Sequence, residues 1–188
     1  TMNRLFAALL VCSFIMTSCA QKSDYVVTIK TSQGDMVAIL YDETPKHKEN
    51  FIKLAKEDYF DSLLFHRVIQ GFMIQGGDLR QNLTYRIPAE FHQKYFHKKG
   101  ALSMARVSEN NPEKQSSASD FFIIHGGRYT EEDVEIDSKN LELSLTPEQK
   151  QAYITQGGYM ELDQQYTVFG EVTEGLEVVD KIASEKVF

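Results

Sequence analysis

From residue 25 onward the chain alternates short apolar runs with polar segments, a pattern that predicts many short strands and a few helices. Residues 25–30 and 36–41 alternate in character and flank the polar segment SQGD at 32–35. Polar turn residues between two alternating runs are typical of a β-hairpin. The sequence therefore predicts an antiparallel hairpin over 25–41.

A helix is predicted directly after this hairpin. Thr44 stands where a side chain caps a helix, and Pro45 suits the first helical turn. The residues that follow divide into an apolar face and a lysine-rich face: Phe51, Ile52, Leu54 and Ala55 against Lys46, Lys48, Lys53 and Lys56. This segment is therefore predicted to pack as an amphipathic helix.

The second half of the chain contains further predicted strands. Residues 101–105 and 121–124 are short apolar runs, and residues 166–172 also have the character of a strand. The polar residues 106–119, between the first two runs, predict a surface loop.

Two more helices are predicted near the C-terminus. The segment TPEQ at 146–149 has the form of a capping box and predicts a helix that ends near the glycine pair at 157–158. The acidic stretch 131–142 before it predicts a solvated insertion. A final helix is predicted to place one apolar face on the core: Leu176, Val179 and Ile182.

The stretch FHRVIQGFMIQGGD, residues 65–78, places one arginine among side chains that favour burial. Arg67 must find a partner or a use there, because a guanidinium is costly to bury alone. The glycines at 71, 76 and 77 suit bent strands and close backbone approach better than a helix. Two interpretations stay open, a pair of core strands with a snorkelling arginine or a functional site around Arg67.

Composition and charge exclude some classes of protein. With 188 residues and 42% hydrophobic content, the chain is long enough for one domain with its own core. The formal net charge of −7 argues against nucleic acid as a partner. The histidines have no zinc-like spacing backed by cysteines or carboxylates. We therefore expect no metal and no cofactor, and we expect a monomer.

The N-terminus predicts export. Arg4 precedes an apolar run over residues 5–16, which is too short to span a bilayer comfortably and is typical of a secretory signal. Small residues lead into Cys19, and this ending resembles the lipobox of bacterial lipoproteins, with Met16 as an imperfect match.

The division of the chain follows from this segment. We expect a signal peptide over 1–18, a tether lipidated at Cys19 over 19–24, and a folded domain over 25–188. The lipid would anchor the protein to a membrane of the bacterial cell envelope, facing the periplasm or the exterior. An ordinary secretory signal with cleavage nearby is the alternative.

Three segments together carry a resemblance to a known family: FHRVIQGFMIQGGD (65–78), GALSMARVSENNPEKQSSASDFFI (100–123) and LDQQYTVFGEV (162–172). In order and spacing they resemble the cyclophilin-type peptidyl-prolyl isomerases. The resemblance implies a mainly β fold, a closed eight-stranded antiparallel barrel capped by helices. Family members close the barrel with a strand after the last helix. We expect that strand to be absent from this chain: either the sequence is truncated before it, or the first strand keeps an unpaired edge.

The resemblance also implies a site. Arg67 matches the catalytic arginine, whose N–H donors would stabilise the prolyl nitrogen as the imide twists. Gln75 matches the glutamine that bonds the substrate carbonyl and steadies this arginine. Four residues match the pocket for the proline ring, with Tyr166 where a histidine is common: Phe72, Met73, Phe122 and Leu162. Plain core packing is the alternative for these four.

Further substrate contacts are implied beside this pocket. Ala105 and Arg106 match the strand edge that pairs with the substrate backbone, with Arg106 in place of an asparagine. Asp120 replaces a glutamine. A carboxylate at that position would pair with Arg67, and would either orient it or divert it from substrate.

The implied function is acceleration of X-Pro bond rotation in exported proteins as they fold, with proline-containing polypeptides as partners. A second hypothesis belongs to another class, a chaperone or scaffold module that binds extended proline-containing segments with weak or no turnover. Asp120, the short segment between residues 78 and 91 and the abrupt C-terminus motivate it.

Overall fold

The computed structural model describes residues 25–78 and 82–185. The expected signal peptide over 1–18, the tether over 19–24 and the lipidation at Cys19 lie outside the described residues. The described strands are β1 (Tyr25–Thr31), β2 (Gly34–Leu40), β3 (Arg67–Ile69), β4 (Met73–Gly76), β5 (Arg86–Ile87), β6 (Ala101–Met104), β7 (Ser116–Ser117), β8 (Phe121–Ile124) and β9 (Val168–Glu174). The helices are α1 (Pro45–Lys56), α2 (Glu131–Asn140), α3 (Pro147–Thr155) and α4 (Leu176–Ala183), with a 3₁₀ turn at Met160–Leu162.

Most of the strands belong to one antiparallel sheet of seven, in the order β1-β2-β9-β6-β8-β4-β3, while β5 and β7 pair separately. The prediction of a mainly β fold with helices is confirmed. The closed eight-stranded barrel is not seen in the described part of the chain. There the sheet is a curled half-barrel, because β1 and β3 each have only one neighbouring strand.

An open groove of about 710 Å³ lies beside these two edge strands. Its walls come from β1, the segment that follows α1, β3, β8 and α4, and they are largely apolar: Ile29, Phe60, Phe65, Val68, Phe121 and Ile182. Since Phe121 and Ile182 also belong to the main core, the groove borders that core between the two edges.

The predicted hairpin forms, with every residue of β1 paired to one of β2 around the two-residue turn Ser32-Gln33. Gly34 closes the turn with a φ of 132°. A Cβ on Gly34 would lie 3.0 Å from the Val178 side chain. The turn therefore needs glycine both for its backbone and for the packing of α4.

The helix predicted after the hairpin is α1, but its N-terminus is capped differently. The Thr44 side chain makes no cap; its hydroxyl donates to the Tyr41 carbonyl at 3.3 Å. Instead the carboxylate of Glu90, far along the chain, accepts from the backbone N–H groups of Lys46 and His47, each at 3.1 Å. A carboxylate there also suits the positive end of the helix dipole.

The polar segment 106–119 is not only a surface loop. It contains β7, which pairs with β5, and it buries Ser116 and Asn111. The Asn111 side chain donates to the carbonyls of Val107 and Gln115 and accepts from the Gln115 N–H, all at 2.8–2.9 Å. The loop is polar because its side chains replace the backbone bonds of a regular strand.

The acidic stretch predicted as a solvated insertion is mostly the helix α2. Thr130 and Asp133 form a capping box at its start, and Val134 is buried. The predicted capping box at Thr146 opens α3 as expected. Residues from these two helices and the 3₁₀ turn build a small separate core of Val134, Tyr153 and Met160.

The two faces of the sheet carry different cores because alternate residues of a strand point in opposite directions. One face packs on α1 and α4, as the final-helix pattern predicts: Ile74, Phe121 and Ile123 with Phe51, Val179 and Ile182. The other face carries Met73, Phe122 and Ile124 under half-buried side chains. Within residues 25–78 and 82–185, no helix has the length and apolar character needed to cross a bilayer.

Candidate functional site

Arg67 lies in one row with Gln75 and Phe122. The strand register pairs Arg67 with Gln75 and Gln75 with Phe122. Directly opposite residues on antiparallel strands share a face of the sheet. The same row continues to Ser103 on β6, and this face is the one that carries the second core.

The Arg67 side chain is exposed and weakly held. One Nη1–H donates to the Gln75 side-chain oxygen at 3.5 Å, and the guanidinium carbon lies 5.8 Å from the centre of the Phe72 ring. No carboxylate in the described part of the chain pairs with Arg67. Most of its N–H donors are therefore free for a ligand above the ring.

A cup of apolar side chains adjoins this arginine. Met73 is 1% exposed and Phe122 is 5% exposed, so these two form the floor. Half-buried Phe72, Leu162 and Tyr166 form the rim, and the rings of Tyr166 and Phe122 meet edge to face at 5.7 Å. Core packing describes the floor, whereas the rim side chains are only partly buried.

Ala105 and Arg106 differ in what their backbones offer. The Ala105 N–H donates to the Asp120 carbonyl at 2.7 Å, and its carbonyl accepts from the Ser117 N–H at 2.8 Å. The backbone groups of Arg106 have no partner within the described residues. Of the two, Arg106 is the residue with a free edge for an extended peptide.

The Arg106 side chain is fixed against Tyr166. Its guanidinium carbon lies 4.7 Å from the centre of that ring, and its Nε donates to the Gln165 carbonyl at 3.0 Å. Such a cation–π contact holds the charge beside the cup.

Asp120 does not pair with Arg67. Its carboxylate has no ion-pair partner in the described part of the chain, and the titratable side chains near it are His66 and Asp78. Burial raises the pKa of the Asp120 carboxyl above its usual range; His66 opposes this effect and Asp78 adds to it. The expected bidentate pair between Asp120 and Arg67 is therefore not formed in the described part of the chain.

A buried network under the cup was missed by the sequence reasoning. Asp163 accepts hydrogen bonds from the His97 backbone N–H and Nδ1, both at 2.8 Å, and from the Tyr153 hydroxyl at 2.6 Å. Asp163 follows Leu162 directly, and the His97 ring stacks 6.1 Å from Phe122. The network therefore ties α3 to both sides of the cup. The only signal in the sequence was the Leu-Asp pair at 162–163.

A second missed contact fixes the turn that carries Phe72. The Gly71 N–H donates to Nδ1 of His125 at 3.0 Å, and the backbone N–H groups of His125 and Gly126 donate to the Phe72 carbonyl at 3.0 Å. Burial lowers the pKa of His125, which keeps Nδ1 free to accept; Asp180 opposes this and Lys99 adds to it. The Tyr159 ring packs 4.3 Å from Phe72.

The chemistry available is hydrogen-bond donation beside an apolar cup. Arg67 supplies a permanent charge and several donors, and Gln75 supplies an amide next to it. Among the described residues, no three His, Cys, Asp or Glu side chains are grouped to hold a metal ion. This arrangement suits recognition of an apolar ring attached to a polar amide.

Comparison with known proteins points to one family. Residues 26–188 match the family model described as cyclophilin type peptidyl-prolyl cis-trans isomerase/CLD. A Staphylococcus haemolyticus protein, provisionally named a peptidyl-prolyl cis-trans isomerase, is 37% identical over 176 residues, 89% of this chain and 84% of that protein. A Streptococcus pyogenes protein, provisionally named a bifunctional phosphatase/peptidyl-prolyl cis-trans isomerase, is 38% identical over 168 residues, 84% of this chain. The chain spans 34% of that protein's length.

Solved structures match as well. The crystal structure of a Cryptosporidium parvum cyclophilin type peptidyl-prolyl cis-trans isomerase superposes with a TM-score of 0.61 at 23% identity, covering 87% of this chain and 88% of that one. A structure of the same protein in the presence of the dipeptide Ala-Pro also gives 0.61, at 24% identity. At this level of identity the likeness shows the fold.

Proposed function

The chain belongs to the family of cyclophilin-type peptidyl-prolyl cis-trans isomerases, and we propose that it accelerates X-Pro bond rotation by the arrangement around Arg67. The observation that carries this proposal is the row of Arg67, Gln75 and Phe122 across three paired strands. It puts a cation, an amide and an apolar floor side by side on one face of the sheet.

The energy required is modest for such a site. Rotation about an imide bond has a barrier of about 18–20 kcal/mol and takes ~10–100 s without a catalyst. An exchange rate of ~10³ s⁻¹ requires a reduction of roughly 5–7 kcal/mol, at about 1.4 kcal/mol per power of ten. Because no bond is made or broken, a catalyst need only bind the twisted imide more tightly than the planar one.

Arg67 is proposed to supply the largest part of this reduction in the rotation barrier. The prolyl nitrogen gains a lone pair only when amide resonance is lost, so a donor aimed at it stabilises the twisted state alone. One preorganised donor contributes roughly 3–4 kcal/mol, by analogy with the loss of an oxyanion-hole donor. The rest of the barrier reduction is assigned to two groups that hold the substrate. The cup of Phe72, Met73, Phe122 and Leu162 holds the proline ring, and Gln75 holds a flanking carbonyl.

Exchange measurements on an Ala-Pro peptide test this proposal. We expect the wild-type domain to accelerate exchange and Arg67→Ala to lose about 10²–10³-fold of that acceleration. Arg128→Ala is the control, because it removes an exposed arginine that also lacks a carboxylate partner in the described part of the chain. Equal rates for wild type and Arg67→Ala would refute the role of Arg67.

A binding module with little turnover is the second candidate. One observation favours it: Arg67 is held in place only by a 3.5 Å contact with Gln75 and by Phe72, so it is not rigidly aimed. Peptide binding without faster exchange would support this candidate, and absence of any binding to proline peptides would exclude it.

We propose that the domain acts on exported proteins as a monomer anchored by lipid at Cys19. The support is in the sequence, namely the apolar run over 5–16 and the small residues before Cys19. Cys19→Ser is expected to abolish labelling by a radioactive or clickable fatty acid and to release the protein from membranes. Retention of label in Cys19→Ser would refute the anchor.

We also propose that the curled sheet is completed to an eight-stranded barrel by a strand along the groove beside β1 and β3. The apolar walls and the free edge of β1 support this. Rapid hydrogen exchange along the outer edge of β1 in the full-length protein would argue against closure.

A further inference from the structure

Only some of the basic side chains in the described part of this acidic protein pair with a carboxylate. Lys98, Lys99 and Lys150 each pair with a carboxylate at 2.5–2.6 Å, and Lys48 and Lys94 are paired as well. In contrast, no described arginine has a carboxylate partner among residues 25–78 and 82–185: Arg67, Arg86, Arg106 and Arg128. With a net charge of −7, unpaired guanidinium groups are not explained by a shortage of acids.

Arg106 is the unpaired arginine that is held most firmly. It stacks on Tyr166, donates from Nε to the Gln165 carbonyl at 3.0 Å, and donates from Nη1 to the Ser108 hydroxyl at 3.4 Å. All three partners are uncharged. They fix the position of the guanidinium and leave its positive charge uncompensated and three of its five N–H donors free.

The backbone of the same residue is also unoccupied. Neighbouring Ala105 has both groups bonded, to Asp120 and to Ser117, whereas the Arg106 N–H and carbonyl have no partner within the described residues. An extended peptide can add to such an edge, with backbone bonds giving affinity and side-chain contacts giving specificity. The peptide side chain opposite Arg106 would then have its Cβ about 4.5–5.5 Å from that of Arg106.

We propose that Arg106 makes this protein prefer substrates with an acidic residue at the position that pairs opposite it, on the side of the proline that runs along this edge. The inference rests on the proposed function, since it names the substrate class for the same cup. Opposite charges placed directly across an antiparallel pair attract, and like charges repel. Arg67, also unpaired and on the same face, adds to the positive potential of the site.

The experiment uses proline peptides that carry Glu, Gln or Lys at each of the three positions before the proline and the three after it. Affinity and exchange rate are both measured by NMR with the wild-type domain. At one position we expect the order Glu over Gln over Lys, with about two- to fivefold between successive residues. About 1 M salt should reduce this order strongly, because the Debye length falls to roughly 3 Å.

Variants assign the effect to Arg106. Arg106→Gln should make the affinities and exchange rates of the Glu, Gln and Lys peptides equal. Arg106→Lys should keep the order Glu over Gln over Lys. Lys53→Gln is the control, because it removes the same charge from the exposed side of α1 and should leave the order unchanged. Equal values for Glu, Gln and Lys at every position, or an order that persists in Arg106→Gln, would overturn the inference.

The outcomes separate this inference from the proposed function. Faster exchange with equal values for the Glu, Gln and Lys peptides would overturn the inference and leave the proposed function standing. Affinities in the order Glu over Gln over Lys without faster exchange would support the inference and refute the proposed isomerase activity. Failure of every peptide to bind would overturn both.

Discussion

Replacing Tyr153 by Phe tests whether the network around Asp163 holds the cup in place. The change removes one hydroxyl from a side chain that is fully buried. That hydroxyl donates to the Asp163 carboxylate at 2.6 Å, and the other carboxylate oxygen accepts from His97. Burial, with Asp163 adding to it, raises the pKa of the Tyr153 phenol, so the hydroxyl stays protonated and donates.

The expected cost follows from the kind of bond that is lost. Hydrogen bonds to charged groups contribute about 1.5–3 kcal/mol, and Phe fills nearly the same volume as Tyr. Tyr153→Phe should therefore lower the free energy of unfolding by roughly 1.5–3 kcal/mol. Asp163→Ala should cost more, about 3–6 kcal/mol, because it leaves three buried donors without an acceptor.

Urea unfolding at pH 7 measures this cost, provided that the m-value stays at the wild-type value. Tyr159→Phe is the matched control. Its hydroxyl has no hydrogen-bond partner among the described residues, so its loss should change stability by less than about 0.5 kcal/mol. Since Asp163 directly follows Leu162 of the cup, we also expect Tyr153→Phe to raise the KM for Ala-Pro peptides more than it lowers kcat.

Equal stability of Tyr153→Phe and Tyr159→Phe would refute the reasoning about the network. An unchanged KM in a variant that is clearly destabilised would show that Asp163 stabilises the fold without positioning the cup.

Three further predictions concern single charged groups. Burial lowers the pKa of His125 below 6.5, so the wild type should lose stability as the pH falls below about 6.5. In urea unfolding between pH 7 and 5, His125→Gln should lose less stability than the wild type. Burial opposes ionisation of Glu90, but the His47 and Lys46 donors outweigh it and lower its pKa below 4.5. Glu90→Gln should therefore lower the free energy of unfolding by about 1 kcal/mol at pH 7 and leave it unchanged well below pH 4. The control Glu49→Gln, at an exposed position, should have wild-type stability at both pH values. Since burial raises the pKa of Asp120, Asp120→Asn should stabilise the protein at pH 7 and by less at pH 4; destabilisation at pH 7 would contradict this.

Local patterns predicted the elements that depend on local contacts. The hairpin over 25–41, the helix after Pro45 and the capping box at Thr146 are all set by residues within a few positions of one another. The cap of α1 was mispredicted because its acceptor, Glu90, is 43 residues away from His47. Sequence spacing carries no information about such a contact.

The site shows the same limit. Its residue types were identified through resemblance, but their common face depends on the register of β3, β4 and β8, which a single sequence does not specify. Because residues 106–119 are polar, the sequence predicted a surface loop and not the buried Asn111. Because residues 131–142 are acidic, it predicted a solvated insertion and not a helix with its own capping box. In both segments polar side chains satisfy backbone groups, which composition alone does not distinguish from solvation.

The central claim is that the guanidinium of Arg67 stabilises the twisted imide, and Arg67→Lys tests it most directly. Lysine keeps the charge but loses the rigid fork of donors. NMR line shapes of an Ala-Pro peptide give affinity and exchange rate in one titration. We predict affinity within about twofold of wild type and exchange slower by about 10²-fold. Wild-type exchange with Arg67→Lys would show that the donor fork is not required, and would contradict the mechanism.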